Sequence, residues 1–455
     1  MEAIALLSHP SPASVVAYRS GVGVTARQFL ADAALLAQRL PSAQHALNVC
    51  ADRYRFTVGL AACLMSGRVS LLPSTHTPQV IAQLAAFAPD AFCLTDDRRC
   101  DIELPQVYFQ DLLDESAPAA AASTPFDVPQ IAASQLAAIV FTSGSTGTPL
   151  PFKKTWGLLA RCVQSGAHSL GLLDGKSHAL VGTVPGQHMY GFESTVLLAL
   201  LSGNALSAER PFYPADVAAA VGRVPRPRVL VTTPIHLRTL LSSEIEFPAL
   251  DLVMSATAPL SRDLAREVEA RYGTPLLEIY GSTETGQIAL RRTAQTAVWR
   301  LWPGVHLHSS NGQVFAQGGH IEQLTPMCDV IEITGKDEFL LHGRTADLVN
   351  VAGKRSSFGY LNAQLNAIPG VIDGAFFLRE ESSGSTGVAR LAAVVVAPGM
   401  SVAGLTDQLR QLIDPVFLPR PLLIVQRLPR NATGKLPEQA LQGFADEQLR
   451  INEAQ

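Results

Sequence analysis

Between residues 26 and 95 the hydrophobic positions switch repeatedly from helical to strand spacing and back. Residues 26–40 carry helical spacing, 46–50 form a short apolar run of strand length, and 54–65 are helical again. A strand over 70–73, a helix over 77–88 and a strand over 91–95 complete the series. Strands separated by helices cannot be joined by tight hairpins, so they run parallel in one sheet with the helices laid over its faces. The fold class this demands is α/β.

The punctuation continues. Residues 117–125 are rich in Ala and Pro and suit a surface connection. Residues 137–142 then form a nearly all-apolar strand at which a second α/β layer is expected to begin. Further strands are expected at 179–183, 229–233, 252–255 and 276–279, with helices at 194–201, 235–241 and 258–272. From 304 to 339 short alternating runs (306–308, 313–315, 329–333) predict a small β-rich piece, and after Gly343 the order becomes strand, helix, strand, helix. A chain of 455 residues exceeds what one hydrophobic core supports. The expected division is a large domain over 1–343, with subdomains about 1–125, 126–290 and 291–343, followed by a small α+β domain over 344–455.

Composition narrows the function. A net charge of -4 gives no field for a polyanion, so no nucleic-acid partner is expected. Six scattered cysteines without C-x-x-C spacing predict neither a zinc site nor a disulfide framework and suit a reducing, cytoplasmic location. Residues 1–20 lack a basic segment followed by an apolar run, and the longest apolar stretch, 391–397, is far below the ~20 residues of a spanning helix. No membrane insertion is expected.

Four segments carry possible chemistry. Phe141-Thr142-Ser143-Gly144-Ser145-Thr146-Gly147-Thr148-Pro149 follows a strand with a loop whose backbone N–H groups and hydroxyls can surround phosphate oxygens, although the spacing and lysine of a Walker loop are missing. Glu278-Ile279-Tyr280-Gly281-Ser282-Thr283-Glu284-Thr285-Gly286 offers a ring to stack on a base, a hydroxyl for a phosphate and a carboxylate for Mg²⁺. His342-Gly343-Arg344-Thr345-Ala346-Asp347 is a charged turn between two folding units. Leu428-Pro429-Arg430-Asn431-Ala432-Thr433-Gly434-Lys435-Leu436 projects a lysine from a loop. Taken singly, each also suits an ordinary turn or surface charge. A hydrolase is excluded, because no serine stands in a G-x-S-x-G elbow.

In this order the four segments resemble the adenylate-forming superfamily of acyl- and aryl-CoA synthetases, nonribosomal-peptide adenylation domains and luciferases. Ser255-Ala256-Thr257-Ala258-Pro259-Leu260 is similar to that family's turn beside adenine, and Pro185-Gly186-Gln187-His188-Met189-Tyr190-Gly191 to its segment bordering the acyl pocket. The resemblance implies an ATP- and Mg²⁺-dependent enzyme that converts a small carboxylic acid to acyl-AMP and passes the acyl group to a thiol of CoA or of a carrier-protein phosphopantetheine. It implies that Thr142, Ser143, Gly144, Ser145, Thr146 and Gly147 grip the β- and γ-phosphates. Ser255, Ala256, Thr257, Glu278, Tyr280 and Gly281 border the nucleotide, Tyr280 against adenine. Thr283 contacts the α-phosphate, Glu284 binds Mg²⁺, and Asp329 with Arg344 holds the ribose; Asp337 is the alternative aspartate. His188, Tyr190, Phe192 and Ser282 line the acid site, Tyr190 and Phe192 being equally suited to the core. Lys435 is the catalytic lysine, acting with Glu284, Thr283 and His188.

The chain departs from the family in two places. Leu150 stands where a phosphate-loop lysine is usual, with Lys153 and Lys154 close behind, and Ala346 stands at the usual hinge pivot, next to Asp347. The segment 147–156 is similar to compact ligases that load hydroxylated benzoic acids for aryl-polyene pigments. An aryl acid is therefore the first substrate expectation and a medium-chain fatty acid the second; the reading from another class is an inactive nucleotide-binding protein. A separate acyl carrier protein would dock on basic charge, for which Arg223, Arg226, Arg228, Arg379, Arg410, Arg420, Arg427 and Arg430 are candidates.

Overall fold

Local chemistry sets the ends of the expected helices. Thr25 closes a capping box with Gln28 at the start of Ala26–Arg39, and the Asp52 carboxylate accepts from the Arg55 N–H to start Arg53–Met65. The computed structural model describes residues 2–73, 75–112, 126–142, 150–344, 348–351, 354–379, 390–431, 434 and 436–453. The expected connection at 117–125 lies outside them.

Two sheets form the frame. One has six strands in the order Leu150–Thr155, Leu136–Thr142, Val69–Leu72, His45–Asn48, Phe92–Thr95 and Gln106–Tyr108, parallel except for the first pair. The other has eleven. Its parallel centre is Ala205–Ser207, Ala179–Gly182, Arg228–Thr232, Leu252–Ser255 and Leu276–Ser282. Four strands extend one edge antiparallel: Gly286–Arg291, Trp299–Leu301, Glu338–Arg344 and Asp329–Ile333. A three-stranded piece, Val305–Ser310, Gln313–Gly318 and Ile321–Pro326, supplies the expected β-rich segment. The final part of the chain packs Asp373–Arg379, Arg390–Val396 and Leu422–Ile424 against Phe358–Asn366, Val402–Leu412 and Glu438–Glu453. Its apolar residues, from Val349 to Ala445, close clusters of their own.

The sheets interleave across the expected subdomain limits. Leu136–Thr142 does not open the second layer; it pairs in parallel with Val69–Leu72, inside the first sheet. An all-apolar strand announces burial on both faces without saying in which sheet. Conversely, Val15–Arg19 and Val22–Thr25, unread in the sequence, form a hairpin at the far edge of the large sheet, where Val15–Arg19 lies parallel to Ala205–Ser207. Its two-residue turn, Ser20 at φ 48° and Gly21 at φ 84°, has the twist that suits a tight hairpin. The helix expected at 258–272 starts only at Arg262, because Ser261 caps it. The helix expected at 194–201 is instead an α-turn Met189–Gly191, a π-helical segment Phe192–Leu197 and an α-helix Leu198–Ser202, ended by Gly203 at φ 70°. Among the described residues no helix is long and apolar enough to cross a membrane.

One buried side chain ties the two sheets together. Arg53, only 2% exposed, starts the helix Arg53–Met65 and donates from Nη1 to the carbonyls of Ser207 (2.9 Å) and Glu209 (2.7 Å), and from Nη2 to those of Gly182 and Val184 (both 2.9 Å). Burial lowers its pKa to about 10, which leaves it charged at neutral pH. Arg53→Met would strand these carbonyls without donors, and a loss of about 3–5 kcal/mol is expected. Chemical denaturation of the purified variant measures it; a loss below about 1 kcal/mol would show that the guanidinium does not pin the layers.

Candidate active site

The strand Leu276–Ser282 ends at the C-terminal edge of the parallel centre, the edge at which open α/β sheets bind ligands. It returns as Gly286–Arg291 through a tight turn, with Gly286 at φ +71°. The Ser282 and Thr285 hydroxyls hydrogen-bond to each other (3.1 Å), and the Ser282 N–H donates to Thr285 Oγ1 (3.3 Å). Thr283 is half-buried and Glu284 exposed, so the turn presents both outward. Beneath it, Lys154 Nζ donates to the Glu284 carbonyl (3.2 Å) and His320 Nε2 to the Thr285 carbonyl (2.9 Å). Burial pulls the His320 pKa down to about 4, so the ring is neutral and its single N–H is spent on that bond.

Tyr280 and Asp329 come together although 49 positions separate them: the phenol donates to the Asp329 carboxylate. The Tyr280 ring packs 5.5 Å from both Trp299 and Phe339, and the Arg291 guanidinium lies 4.3 Å over Trp299. Asp329 stands directly across from Arg344 in an antiparallel pair, whereas Asp337 is exposed in the turn at the other end of that hairpin. Register therefore joins Asp329, not Asp337, to Arg344. Glu278 is buried, and its carboxylate accepts from the Leu260 N–H (3.0 Å), Arg291 Nε (2.8 Å) and Thr293 Oγ1 (2.6 Å). That carboxylate braces the strand and is not open to a nucleotide.

The turn after Leu252–Ser255 holds Thr257 at φ 80°, a strained conformation for a β-branched residue, and the buried Ser255 hydroxyl has no hydrogen-bond partner among the described residues. Half-buried His188 caps the turn Met189–Gly191 by accepting at Nδ1 from the Tyr190 N–H (3.3 Å). Tyr190 is buried, its phenol beside the Thr232 backbone. Phe192 is wholly buried edge-on against Phe56 (6.4 Å), which makes it a core residue rather than a wall of the acid site. Thr142 ends its strand opposite Leu150. Ser143, Gly144, Ser145, Thr146, Gly147, Ala346 and Lys435, with the side chains of Thr142 and Arg344, lie outside the described residues. Next to position 435, Gly434 (φ +77°) donates its N–H to the Asn431 carbonyl and accepts from Arg430, itself paired with Asp373 at 2.6 and 2.7 Å. A Cβ on Gly434 would come within 2.8 Å of Ile235, so this loop lies against the start of the helix Pro234–Leu241.

Residues 6–316 match the family model described as AMP-binding enzyme. The chain belongs to the AMP-binding enzyme family. It is 33% identical over 309 residues to a 4-coumarate--CoA ligase of Rhodobacter capsulatus, covering 67% of this chain and 76% of that protein. It is 31% identical over 308 residues to a 4-coumarate--CoA ligase of Halorhodospira halophila, covering 65% and 73%. The crystal structure of ATP bound MatB from Rhodopseudomonas palustris superposes with a TM-score of 0.80 over 97% of both chains, at 19% identity, which establishes the shared fold. These matches place the chain among the AMP-forming acid–thiol ligases.

For an AMP-binding enzyme, the polar cluster under the turn was the least legible part. Glu193, 3% exposed, enters from the π-helical segment; Cys162 Sγ donates to its Oε1 (3.4 Å), and Gln287 Nε2 donates to the neighbouring Ser194 Oγ (2.8 Å). A Cβ on Gly286 would touch Glu193, Cys162 and His320, so the turn closes directly on the cluster. Glu193 follows Phe192 and precedes Ser194 and Thr195, so in the sequence it reads as one more polar position at the start of an expected helix. Burial raises its pKa to about 7, against 4.5 for a free side chain, while Lys154, Cys162 and Gln287 pull it down. Since the folded state holds the extra proton between these values, the contribution to stability is complete below about pH 4.5 and is lost as pH rises through about 7. Glu193→Gln abolishes that loss. Its melting temperature relative to the parent is expected to climb by a few degrees between about pH 5 and about pH 8; a difference independent of pH would place the Glu193 pKa outside this window.

Proposed function

We propose that this enzyme activates an aryl carboxylic acid, a hydroxybenzoate or hydroxycinnamate, with ATP and then transfers the acyl group to the thiol of CoA. The observation that carries the reading is the union of Tyr280, Asp329 and the backbone of Arg344 beside the turn bearing Thr283 and Glu284. That order suits adenine, ribose and phosphate laid along one sheet edge. The similarity to two 4-coumarate--CoA ligases favours an aryl acid, and in this reading half-buried His188 borders it.

In this reading Tyr280 and the 255–257 turn border adenine, and Asp329 and Arg344 bind the ribose hydroxyls. Thr283 donates to the α-phosphate, and residues 142–147 surround the outer phosphates. An exposed carboxylate on a rigid turn fits a hard cation, and Mg²⁺ held by Glu284 would neutralise phosphate charge. Lys435, delivered by the loop fixed through Arg430 and Asp373, stabilises the charge that builds as the acid's carboxylate oxygen bonds to the α-phosphorus and the bond to pyrophosphate breaks. In the second step the CoA thiolate attacks the acyl carbon and AMP leaves. The segment from 344 onward, with its own core, is the small domain that carries Lys435.

CoA is favoured over a carrier protein because six of the eight candidate docking arginines are already engaged within the chain, Arg420 and Arg427 being the exceptions among the described residues. Arg223 pairs with Glu209, Arg226 with Asp251, Arg379 with Asp446, Arg410 with Asp407 and Arg430 with Asp373. Arg228 donates to backbone carbonyls. Pyrophosphate release with MgATP, screened over hydroxybenzoates, hydroxycinnamates and straight-chain fatty acids, tests the reading: release with an aromatic acid, followed by CoA-dependent thioester formation, is expected. Release with fatty acids alone would overturn the substrate class. Lys435→Ala is expected to cut release by at least ~100-fold with MgATP binding retained, and near-normal release would remove Lys435 from the chemistry.

A further inference from the structure

Lys154 has no place in the mechanism so far, yet it is 2% exposed and among the largest fully buried side chains. It lies on Leu150–Thr155, the strand that returns from the phosphate-loop segment, where alternation turns Lys153 outward and Lys154 inward. A buried ammonium is costly unless its charge and donors are answered. Burial works against that charge and lowers the Lys154 pKa, while the nearby Glu193 carboxyl acts in the opposite direction. A donor is spent on the Glu284 carbonyl at 3.2 Å. Lys154 is therefore not a stand-in for a solvent-facing phosphate lysine; its head group is committed to the underside of the turn. Three elements meet at it: the strand from the phosphate loop, the π-helical segment next to His188 and the turn carrying Thr283 and Glu284.

We propose that Lys154 is a positioning residue that grips the Glu284 backbone and fixes the 282–286 turn in the orientation needed to bind metal-nucleotide. The proposal rests on the reading of Glu284 and Thr283 given above. Its physical content is that the Glu284 carboxylate can be placed only as well as its own carbonyl is held, and displacement of a reacting geometry by about 1 Å costs up to ~100-fold. His320 holds only the next carbonyl, so without Lys154 the Glu284 peptide keeps its bond from the Thr285 N–H to Ser282 Oγ (3.2 Å) but loses the donor to its carbonyl.

The test is nucleotide binding by calorimetry, with and without Mg²⁺, alongside pyrophosphate release, for the full chain and Lys154→Met. Expected is weakening of MgATP binding by about tenfold or more, with less than about threefold change for ATP in EDTA, and a fall in kcat at unchanged KM for the acid. A purely structural lysine would lower the folded fraction but leave the Mg²⁺ dependence as it was. Unchanged Mg²⁺ dependence, or equal weakening with and without the metal, overturns the proposal. Should Lys154→Met not fold, the double variant with Glu193→Gln removes both buried charges and carries the same readout. If the parent binds MgATP but releases no pyrophosphate with any acid, the ligase reading fails, and the Mg²⁺-linked binding difference still decides the role of Lys154.

Discussion

The guanidinium of Arg53 is the joint on which the architecture turns. Strands of the large sheet end in carbonyls that their own ladder cannot satisfy, and four of these or their neighbours, at Gly182, Val184, Ser207 and Glu209, are collected by one side chain. The same helix presses its other side on the first sheet, where a Cβ on Gly59 would come within 2.4 Å of Asn48 and 2.8 Å of Leu94. Arg53–Met65 is consequently buried along nearly its whole length and serves as the shared layer between two sheets. A hydrophobic contact could have filled that space. Only a fork of donors fixes the rotation of one sheet against the other, since hydrogen bonds are directional and apolar burial is not.

From that joint the site follows by geometry. The strand Leu136–Thr142 belongs to the first sheet and Leu276–Ser282 to the second, so the segments expected to hold phosphate and metal arrive from different sheets. Buried Lys154, on a strand of the first sheet, spans the gap by donating to the Glu284 carbonyl. Around it Cys162 donates to Glu193, Gln287 to Ser194 and His320 to the Thr285 carbonyl, bonds that tie the turn to the elements beneath it.

Much of this was legible in the sequence, and the reasons differ by residue. Period alone located Ala26–Arg39, Arg53–Met65 and the central parallel strands, because their burial is one-sided or total and the pattern records it. The Asp329 and Arg344 pairing could be chosen over Asp337 from motif spacing, and strand register agrees with that choice. What could not be read depends on partners remote in sequence. Nothing within 136–142 says which sheet the strand enters, and Glu278 looks like a ligand until Leu260, Arg291 and Thr293 surround it. The π-helical segment is equally hidden: it turns Glu193 toward Cys162, and hydrophobic period carries no mark of one widened turn.

The hairpin at the far edge of the large sheet has a bearing on how the chain is made. Val15–Arg19 finds its neighbour at Ala205–Ser207, and Ser8 hydroxyl donates to the carbonyl of Leu201, 193 positions later. During vectorial synthesis the first strands therefore emerge long before their partner exists. Val16 and Ala17, both fully buried in the finished fold, must wait in contact with solvent. Residues near the amino terminus thus complete the structure late rather than nucleate it. An appendage that ties up this segment would act on the yield of folded molecules, even though four strands of the sheet separate it from the strand that leads into the turn at Glu284.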